Sequence, residues 1–128
     1  DNDLRLASAA LLVHVVTVDG EVKEAETAAL KNLLAERFNL ADDELHELII
    51  AAERKEREAI DLYGFTSLIK SKTTLDERLK IIEMMWRLAF ADGEVDALEE
   101  NLVWRAAELL GVEARDRITL RRLVRDEH

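Results

Sequence analysis

Acidic residues recur at one spacing in two distant parts of the chain. The tetrapeptide Asp-Gly-Glu-Val occurs at Asp19–Val22 and again at Asp92–Val95, and in each copy a glutamate follows the aspartate by seven residues, at Glu26 and Glu99. Carboxylate oxygens are the ligands that hard divalent cations such as Ca²⁺, Mg²⁺ and Mn²⁺ prefer in proteins. The pattern therefore indicates cation binding, provided that the two loops lie close together in the folded chain.

The same spacing separates the fifth and twelfth positions of an EF-hand calcium loop, which also has glycine at its sixth position. The first and third positions of such a loop fall on Val15 and Thr17 in one copy and on Leu88 and Phe90 in the other. None of these side chains carries a carboxylate. Neither loop can therefore form a complete EF-hand, although part of the acidic ligand set is present.

Each acidic residue also has a purely structural explanation. The aspartate that opens each loop can accept backbone N–H groups within the turn. Asp96 and Glu99 have the spacing of a capping box at a helix start, whereas Lys23 occupies the corresponding cap position ahead of Glu26 and cannot accept an N–H bond. The two valines, Val22 and Val95, are expected to anchor the loops on the core.

Composition bounds the class of protein. The chain has 128 residues, a net charge of −10 and no cysteine, which disfavours nucleic-acid binding because such binding neutralises phosphates with basic residues. The absence of cysteine is compatible with the reducing cytoplasm, where we expect the protein. The longest apolar stretch, residues 7–18, is too short to span a bilayer. No nucleophile elbow or glycine-rich phosphate loop occurs, so we expect no enzymatic activity.

Basic residues concentrate at the carboxyl terminus. Three of them, Arg117, Arg121 and Arg125, recur every fourth residue and would share one helix face. We expect these side chains to be mostly exposed, near acidic groups of the rest of the chain. One interpretation is a solvated helix face; the other is a docking surface for an acidic partner or lipid.

Apolar residues recur with helical periodicity along the whole chain, and proline is absent. The pattern predicts seven helices and no strand, with Asp42 as the N-cap of the third helix, a capping box at Thr74 ahead of the fifth, and both Trp86 and Trp104 in the core. The predicted helices cover residues 3–18, 23–38, 43–58, 61–71, 75–91, 96–110 and 114–126.

The repeat extends beyond the acidic loops. Apolar runs precede both copies, and amphipathic stretches follow them. Helices 1–3 and 5–7 are therefore predicted to be two copies of a three-helix unit, joined by helix 4. We expect a pseudo-twofold axis that relates residues 4–58 to residues 76–126 in an all-α bundle.

Two units built as helix, Asp-Gly-x-Val loop and helix with a following glutamate resemble the TerB-like family, which is associated with tellurite resistance and occurs also in DjlA-type co-chaperones. The similarity is strongest over residues 90–100, and the segment at residues 61–66 is similar to stand-alone bacterial members. The resemblance implies an all-helical domain without catalytic activity, tied to stress response and membrane-proximal protein complexes. It also implies metal chelation at four acidic positions, which here are Asp19, Glu26, Asp92 and Glu99.

Two functions follow as alternatives. The first is a stress-associated module, of the tellurite-resistance type, that binds a divalent cation through both acidic loops. The second is a metal-free interaction scaffold that docks protein partners with its acidic loop face and its arginine-rich last helix. The feature that divides them is whether Asp19 and Asp92 converge, and helical periodicity alone does not decide how the first and fifth helices cross.

Overall fold

The computed structural model describes residues 2–59 and 61–127, which form seven helices and no strand. The prediction of an all-α fold is therefore confirmed, and every helix overlaps its predicted range. The helices are α1 (Asn2–Thr17), α2 (Glu24–Phe38), α3 (Asp42–Glu58), α4 (Tyr63–Lys72), α5 (Leu75–Ala89), α6 (Ala97–Leu109) and α7 (Ala114–Asp126).

Side-chain caps fix where two of these helices begin. The N–H of Glu77 donates to Thr74 Oγ1 at 3.3 Å, and the N–H of Thr74 donates to Glu77 Oε1 at 3.1 Å, which is the predicted capping box. The prediction that Asp42 caps α3 is wrong by one residue. Ala41 holds that position, and its N–H donates to Glu44 Oε1 at 3.0 Å, so that Asp42 begins the helix instead.

The core surrounds α1. Residues 7–13 of this helix are all buried, followed by Val15 and Val16, because α1 contacts α2, α3, α4, α5 and α6. A helix that is apolar all round is typical of such a central position. The other helices contribute one face each to the same core, with buried side chains that include Leu30, Leu34, Ile69, Ile82, Met85, Leu102, Val103 and Val124.

Helix–helix contacts made by α1–α3 recur at the matching positions of α5–α7. The contacts of α1 with α2 and α3 correspond to those of α5 with α6 and α7, and the α2–α5 contact corresponds to the α1–α6 contact. One ion pair is repeated in the same way: His14 Nδ1 lies 2.8 Å from Glu56 Oε1, and Arg87, at the matching position of α5, pairs with Glu127. This arrangement has the form of the predicted pseudo-twofold.

The two tryptophans occupy different environments. Trp86 is fully buried, as predicted, and its Nε1 donates to the backbone carbonyl of Arg117 at 3.2 Å. The prediction is wrong for Trp104, which is 46% exposed. Its position on α6 leaves the ring at the surface, where the guanidinium of Arg117 lies 5.9 Å from the ring centroid.

Within residues 2–59 and 61–127, every helix is either too short or too polar to cross a lipid bilayer.

Candidate acidic site at the junction of the two loops

The two Asp-Gly-Glu-Val loops share one backbone conformation. Gly20 has φ of 79° and Gly93 has φ of 93°, a left-handed conformation that glycine adopts without the steric cost of a Cβ atom. Each glycine N–H closes a turn, donating to the carbonyl of Thr17 at 3.0 Å in one loop and of Phe90 at 2.8 Å in the other. Both loops therefore end a central helix in the same way.

The opening aspartates hold these turns. Asp19 Oδ1 accepts the N–H of Glu21 at 3.0 Å, and Asp92 Oδ1 accepts the N–H of Glu94 at 3.3 Å. The turn-capping interpretation is thus confirmed for both residues. It does not use all of their capacity, because a carboxylate has two oxygens and about four acceptor sites.

The loops lie against each other, and each reaches across to the helix start of the other unit. Lys23 Nζ lies 2.7 Å from Asp92 Oδ2, although 69 residues separate them in sequence. On the other side, Asp96 helps to lower the pKa of Asp19, after the larger effect of the Glu21 N–H. Lys23 and Asp96 occupy matching positions in the two units and differ in charge.

The two glutamates lie inside this junction, and each is only 1% exposed. Glu99 is held by the predicted capping box: its N–H donates to Asp96 Oδ1 at 2.8 Å, and its Oε1 accepts the N–H of Asp96 at 3.2 Å. Glu26 has no such support. Neither of its oxygens accepts a hydrogen bond from any donor in the described residues, which is an uncommon state for a buried carboxyl group.

Burial perturbs the titration of both glutamates. It raises the pKa of Glu26 from its ordinary 4.5 to about 9, and the neighbouring Glu99 carboxyl adds to the rise. It also raises the pKa of Glu99, against hydrogen bonds from Glu26 and from the Asp96 N–H that favour the charged form. With its pKa raised this far, Glu26 is protonated at neutral pH, and it can form a hydrogen bond with Glu99 only as the donor.

The aspartates titrate in the opposite direction. The N–H of Glu21 lowers the pKa of Asp19, and the contact with Asp96 contributes to the same effect. The ammonium of Lys23 lowers the pKa of Asp92, and in turn Asp92 raises the pKa of Lys23. The outer carboxylates are therefore charged at neutral pH, while the inner pair tends to retain a proton.

All four predicted site residues, Asp19, Glu26, Asp92 and Glu99, meet in this junction. Carboxylate oxygens are the ligands that a hard divalent cation prefers. The side chains do not form a finished cage, however: within the described parts of the chain, no group of three or more His, Asp or Glu residues is arranged to hold a metal ion. In addition, the ammonium of Lys23 occupies one oxygen of Asp92.

The roles of Lys23 and Asp96 across the junction were not predicted from the sequence. Both residues were predicted to lie at the start of their own helices, and for Asp96 the cap role is correct. Their contacts with the opposite loop depend on how α1 and α5 cross, which no local pattern reveals. The available signal was the matched position of the two residues, which a pseudo-twofold axis brings close to the loop of the other unit.

The three arginines of α7 contact residues other than the four predicted site residues. Arg121 is less exposed than predicted: its guanidinium lies 5.5 Å from the ring centroid of Trp86 and 5.4 Å from that of Phe90, and it pairs with Glu100. Arg117 packs over Trp104, whereas Arg125 is exposed and pairs with Asp126 in the same helix. Use of this face by a partner stays a prediction.

A solved structure has the same fold. The crystal structure of a protein of unknown function from Porphyromonas gingivalis W83 superposes with a TM-score of 0.70, covers 96% of each chain and is 19% identical in sequence. At that identity the similarity concerns the fold alone. No curated protein matches the chain.

The family is shown by a sequence model rather than by that structure. The model described as tellurite resistance protein TerB matches residues 5–122. This range contains both acidic loops, all four predicted site residues and most of α7. The resemblance that the repeated loops suggested is thereby confirmed, and the chain belongs to the TerB family.

Proposed function

We propose that this TerB-family chain is a cytoplasmic, non-enzymatic, stress-associated module that binds a divalent cation where its two acidic loops meet. The cation is Ca²⁺, Mg²⁺ or Mn²⁺, and its ligands come from Asp19, Glu26, Asp92 and Glu99. The observation that carries the proposal is Glu26, a buried carboxyl group whose two oxygens accept no hydrogen bond.

The physical argument concerns the charge that folding places inside the junction. An ionised carboxylate taken out of water costs on the order of several kcal/mol unless a partner compensates it. Glu26 and Glu99 can meet this cost in two ways, by retaining a proton between them or by binding a cation that replaces the proton. A divalent cation would also attract the outer aspartates, which are already ionised.

The test is a thermal melt of the metal-free protein, repeated with each of the three cations. At a cation concentration of about 100 times the dissociation constant, binding stabilises the fold by roughly 2.7 kcal/mol. For a domain of this size that corresponds to a rise in Tm on the order of 10 °C. Asp19→Asn combined with Asp92→Asn should abolish the rise and leave the helices intact, because asparagine still caps a turn.

The matched control combines Glu21→Gln with Glu94→Gln. These residues are adjacent to the two aspartates in the same loops, both are exposed, and the double substitution removes the same charge. The control should keep the cation-dependent rise in Tm. No rise in the parent protein with any of the three cations, or the same rise in the aspartate double variant, contradicts the proposal.

The metal-free scaffold is the second candidate, and the surface of α7 is the observation that favours it. Ile118 is 42% exposed and Leu123 is 47% exposed, and Arg125, seven residues after Ile118 on the same side of the helix, is also exposed. An exposed apolar and basic helix face suits a protein partner within a membrane-proximal stress complex. This function predicts no change in Tm with cations and loss of partner binding with Leu123→Glu, measured by co-purification with a candidate stress-complex subunit.

A further inference from the structure

A cavity of about 490 Å³, which we call the first cavity, lies between α1, α3 and α6. Its walls include His14 from α1, Arg57 from α3, and Leu98, Asn101 and Arg105 from α6. The four predicted site residues of the acidic junction are not among the described residues that line it. Small-molecule sites in proteins have volumes of about 300–1,000 Å³, so the first cavity is large enough to hold a ligand.

The acidic groups of the first cavity are held by donors of the protein itself. Glu56 Oε1 lies 2.8 Å from His14 Nδ1 and accepts the hydroxyl of Thr17 at 3.2 Å. Asp61 Oδ1 accepts the N–H of Tyr63 at 3.0 Å. One oxygen of each carboxylate is therefore already bound within the chain.

The basic groups of the first cavity are not held in this way. Arg57 and Arg105 are exposed, and neither forms an ion pair or a hydrogen bond with another residue in the described ranges. A guanidinium presents its donors in a planar fork that matches two oxygens of a carboxylate or a phosphate. Asn101 adds an exposed amide, and Leu98, which is 54% exposed, offers an apolar surface. This combination suits an organic anion.

The second unit has a matching cavity of about 380 Å³ that lacks this combination. Arg87 lies there at the position that matches His14, and its guanidinium pairs with two glutamates. At the positions that match the leucine, the asparagine and the unpaired arginine of α6, helix α2 has Ala25, Ala28 and Asn32. The fold thus forms the cavity twice, and the groups that α6 supplies to the first copy are not needed to build it.

We infer that the first cavity binds a small organic anion. Its carboxylate or phosphate group is held by Arg57, Arg105 and Asn101, and its apolar part packs against Leu98. This site is separate from the acidic junction and does not depend on the divalent cation of the proposed function.

The binding test is an NMR titration of the ¹⁵N-labelled chain with benzoate and with phenyl phosphate, in the presence of a chelator. At least one of these anions should give saturable shifts around the first cavity, including the side-chain amide of Asn101, and the tighter of the two identifies the preferred head group. The neutral analogues benzamide and phenol should bind at least about tenfold more weakly, because they lack the charge that strengthens hydrogen bonds to a guanidinium. The amides of Ala25, Ala28 and Asn32 serve as the internal control and should not shift.

Single substitutions test the individual groups. Arg105→Asn introduces the residue type that the second unit carries at the matching position, and it should weaken binding by at least about tenfold, as should Arg57→Gln. Leu98→Ala also follows the second unit and should weaken binding of the aromatic anion by at least about fourfold, the value of one buried methylene. Arg54→Gln is the matched control. It removes the same charge from an exposed position of α3 that does not line the cavity, and it should bind within about twofold of the parent.

Three results overturn the inference. The first is the absence of saturable shifts with both anions, and the second is equal affinity for an anion and its neutral analogue. The third is an Arg105→Asn variant that is folded, as judged by its NMR spectrum, and binds as tightly as Arg54→Gln. None of these results bears on cation binding at the acidic junction, which the thermal melts test separately.

Discussion

The two acidic loops have the same four residues and the same turn, yet they differ in the helix cap and the valine packing that hold them to the rest of the protein. In the second loop Asp96 caps α6, and Val95 is half-buried and packs against the core. In the first loop Lys23 offers α2 no side-chain cap, and Val22 is 64% exposed. The expectation that both valines anchor their loops is therefore wrong for Val22.

This difference separates what the motif determines from what its surroundings determine. Asp, Gly and the turn hydrogen bonds are local, so both copies form the same backbone. The cap, the anchoring valine and the charge at the junction depend on the residue that follows the motif and on the opposite unit. A shared motif therefore predicts a shared loop shape and leaves the electrostatics of each loop to be worked out separately.

The largest expected effect tests the unequal support of the two buried glutamates. Because the pKa of Glu26 is raised from 4.5 to about 9, the folded state binds more protons than the unfolded state between these values. The stabilisation that the raised pKa of Glu26 gives the folded state is fully present below about pH 4.5. It is lost as the pH rises towards 9, by at most about 1.4 kcal/mol per pH unit. Metal-free protein should therefore be less stable at pH 8 than at pH 6.

Glu26→Gln should flatten this pH dependence and raise the free energy of unfolding at pH 8, since no charge is then buried at that position. Glu99→Gln should give a smaller gain, because the carboxyl group of Glu99 already accepts the N–H of Asp96 at 3.2 Å. Urea unfolding in the presence of a chelator measures both, and Glu21→Gln is the exposed control. Equal gains from the two buried positions would contradict the asymmetry.

A medium effect tests the part of the comparison that is the same in both loops. Gly20→Ala and Gly93→Ala should each destabilise the fold by about 1–2 kcal/mol, because a left-handed backbone brings the new Cβ close to the following carbonyl. No other atom lies within 4 Å of the added carbon at either site. The two losses, measured by denaturant unfolding, should agree within about 0.5 kcal/mol, and a larger gap would mean that the loops are strained differently.

The smallest effect tests the anchoring valines. Val95→Ala should cost about 1 kcal/mol, because part of its side chain is buried against the core and each buried methylene contributes about 0.8 kcal/mol. Val22→Ala should stay within about 0.5 kcal/mol of the parent, as is usual at the surface. Thermal or urea unfolding of the two single variants measures the difference. Equal losses would show that Val22 is as well packed in solution as Val95.

The fold was largely predictable because its signals are local. Periodic apolar residues, the capping box at Thr74 and the glycines that end helices each act within a few residues. The predictions failed where the packing around a side chain determines how exposed it is. Trp104 has the spacing of a core residue but is 46% exposed, with only the guanidinium of Arg117 recorded over its ring in the described residues. Arg121 packs on Trp86 and Phe90 although its sequence neighbourhood is polar.

The candidate site was predictable in its membership and not in its arrangement. The repeated spacing identified all four acidic residues that meet at the junction. It did not indicate that Glu26 accepts no hydrogen bond from a donor in the described residues or that Lys23 reaches Asp92, because both depend on the packing of α1 against α5. The sequence shows that Lys23 and Asp96 occupy matching positions in the two units. The contact of Lys23 with the loop of the other unit could be predicted only once the axis between the units was known.

The helix α4 has a consequence for what the junction can become. In a symmetric dimer of two separate three-helix chains, a contact from one subunit is repeated by the other, so a lysine at this position would appear in both halves. Here α4 joins the two units in one chain, and each position can change alone. One unit can therefore carry Lys23, which pairs with Asp92, while the other carries Asp96 at the matching position. Covalent linkage thus permits a pseudo-symmetric protein to hold opposite charges at matching positions of its two units.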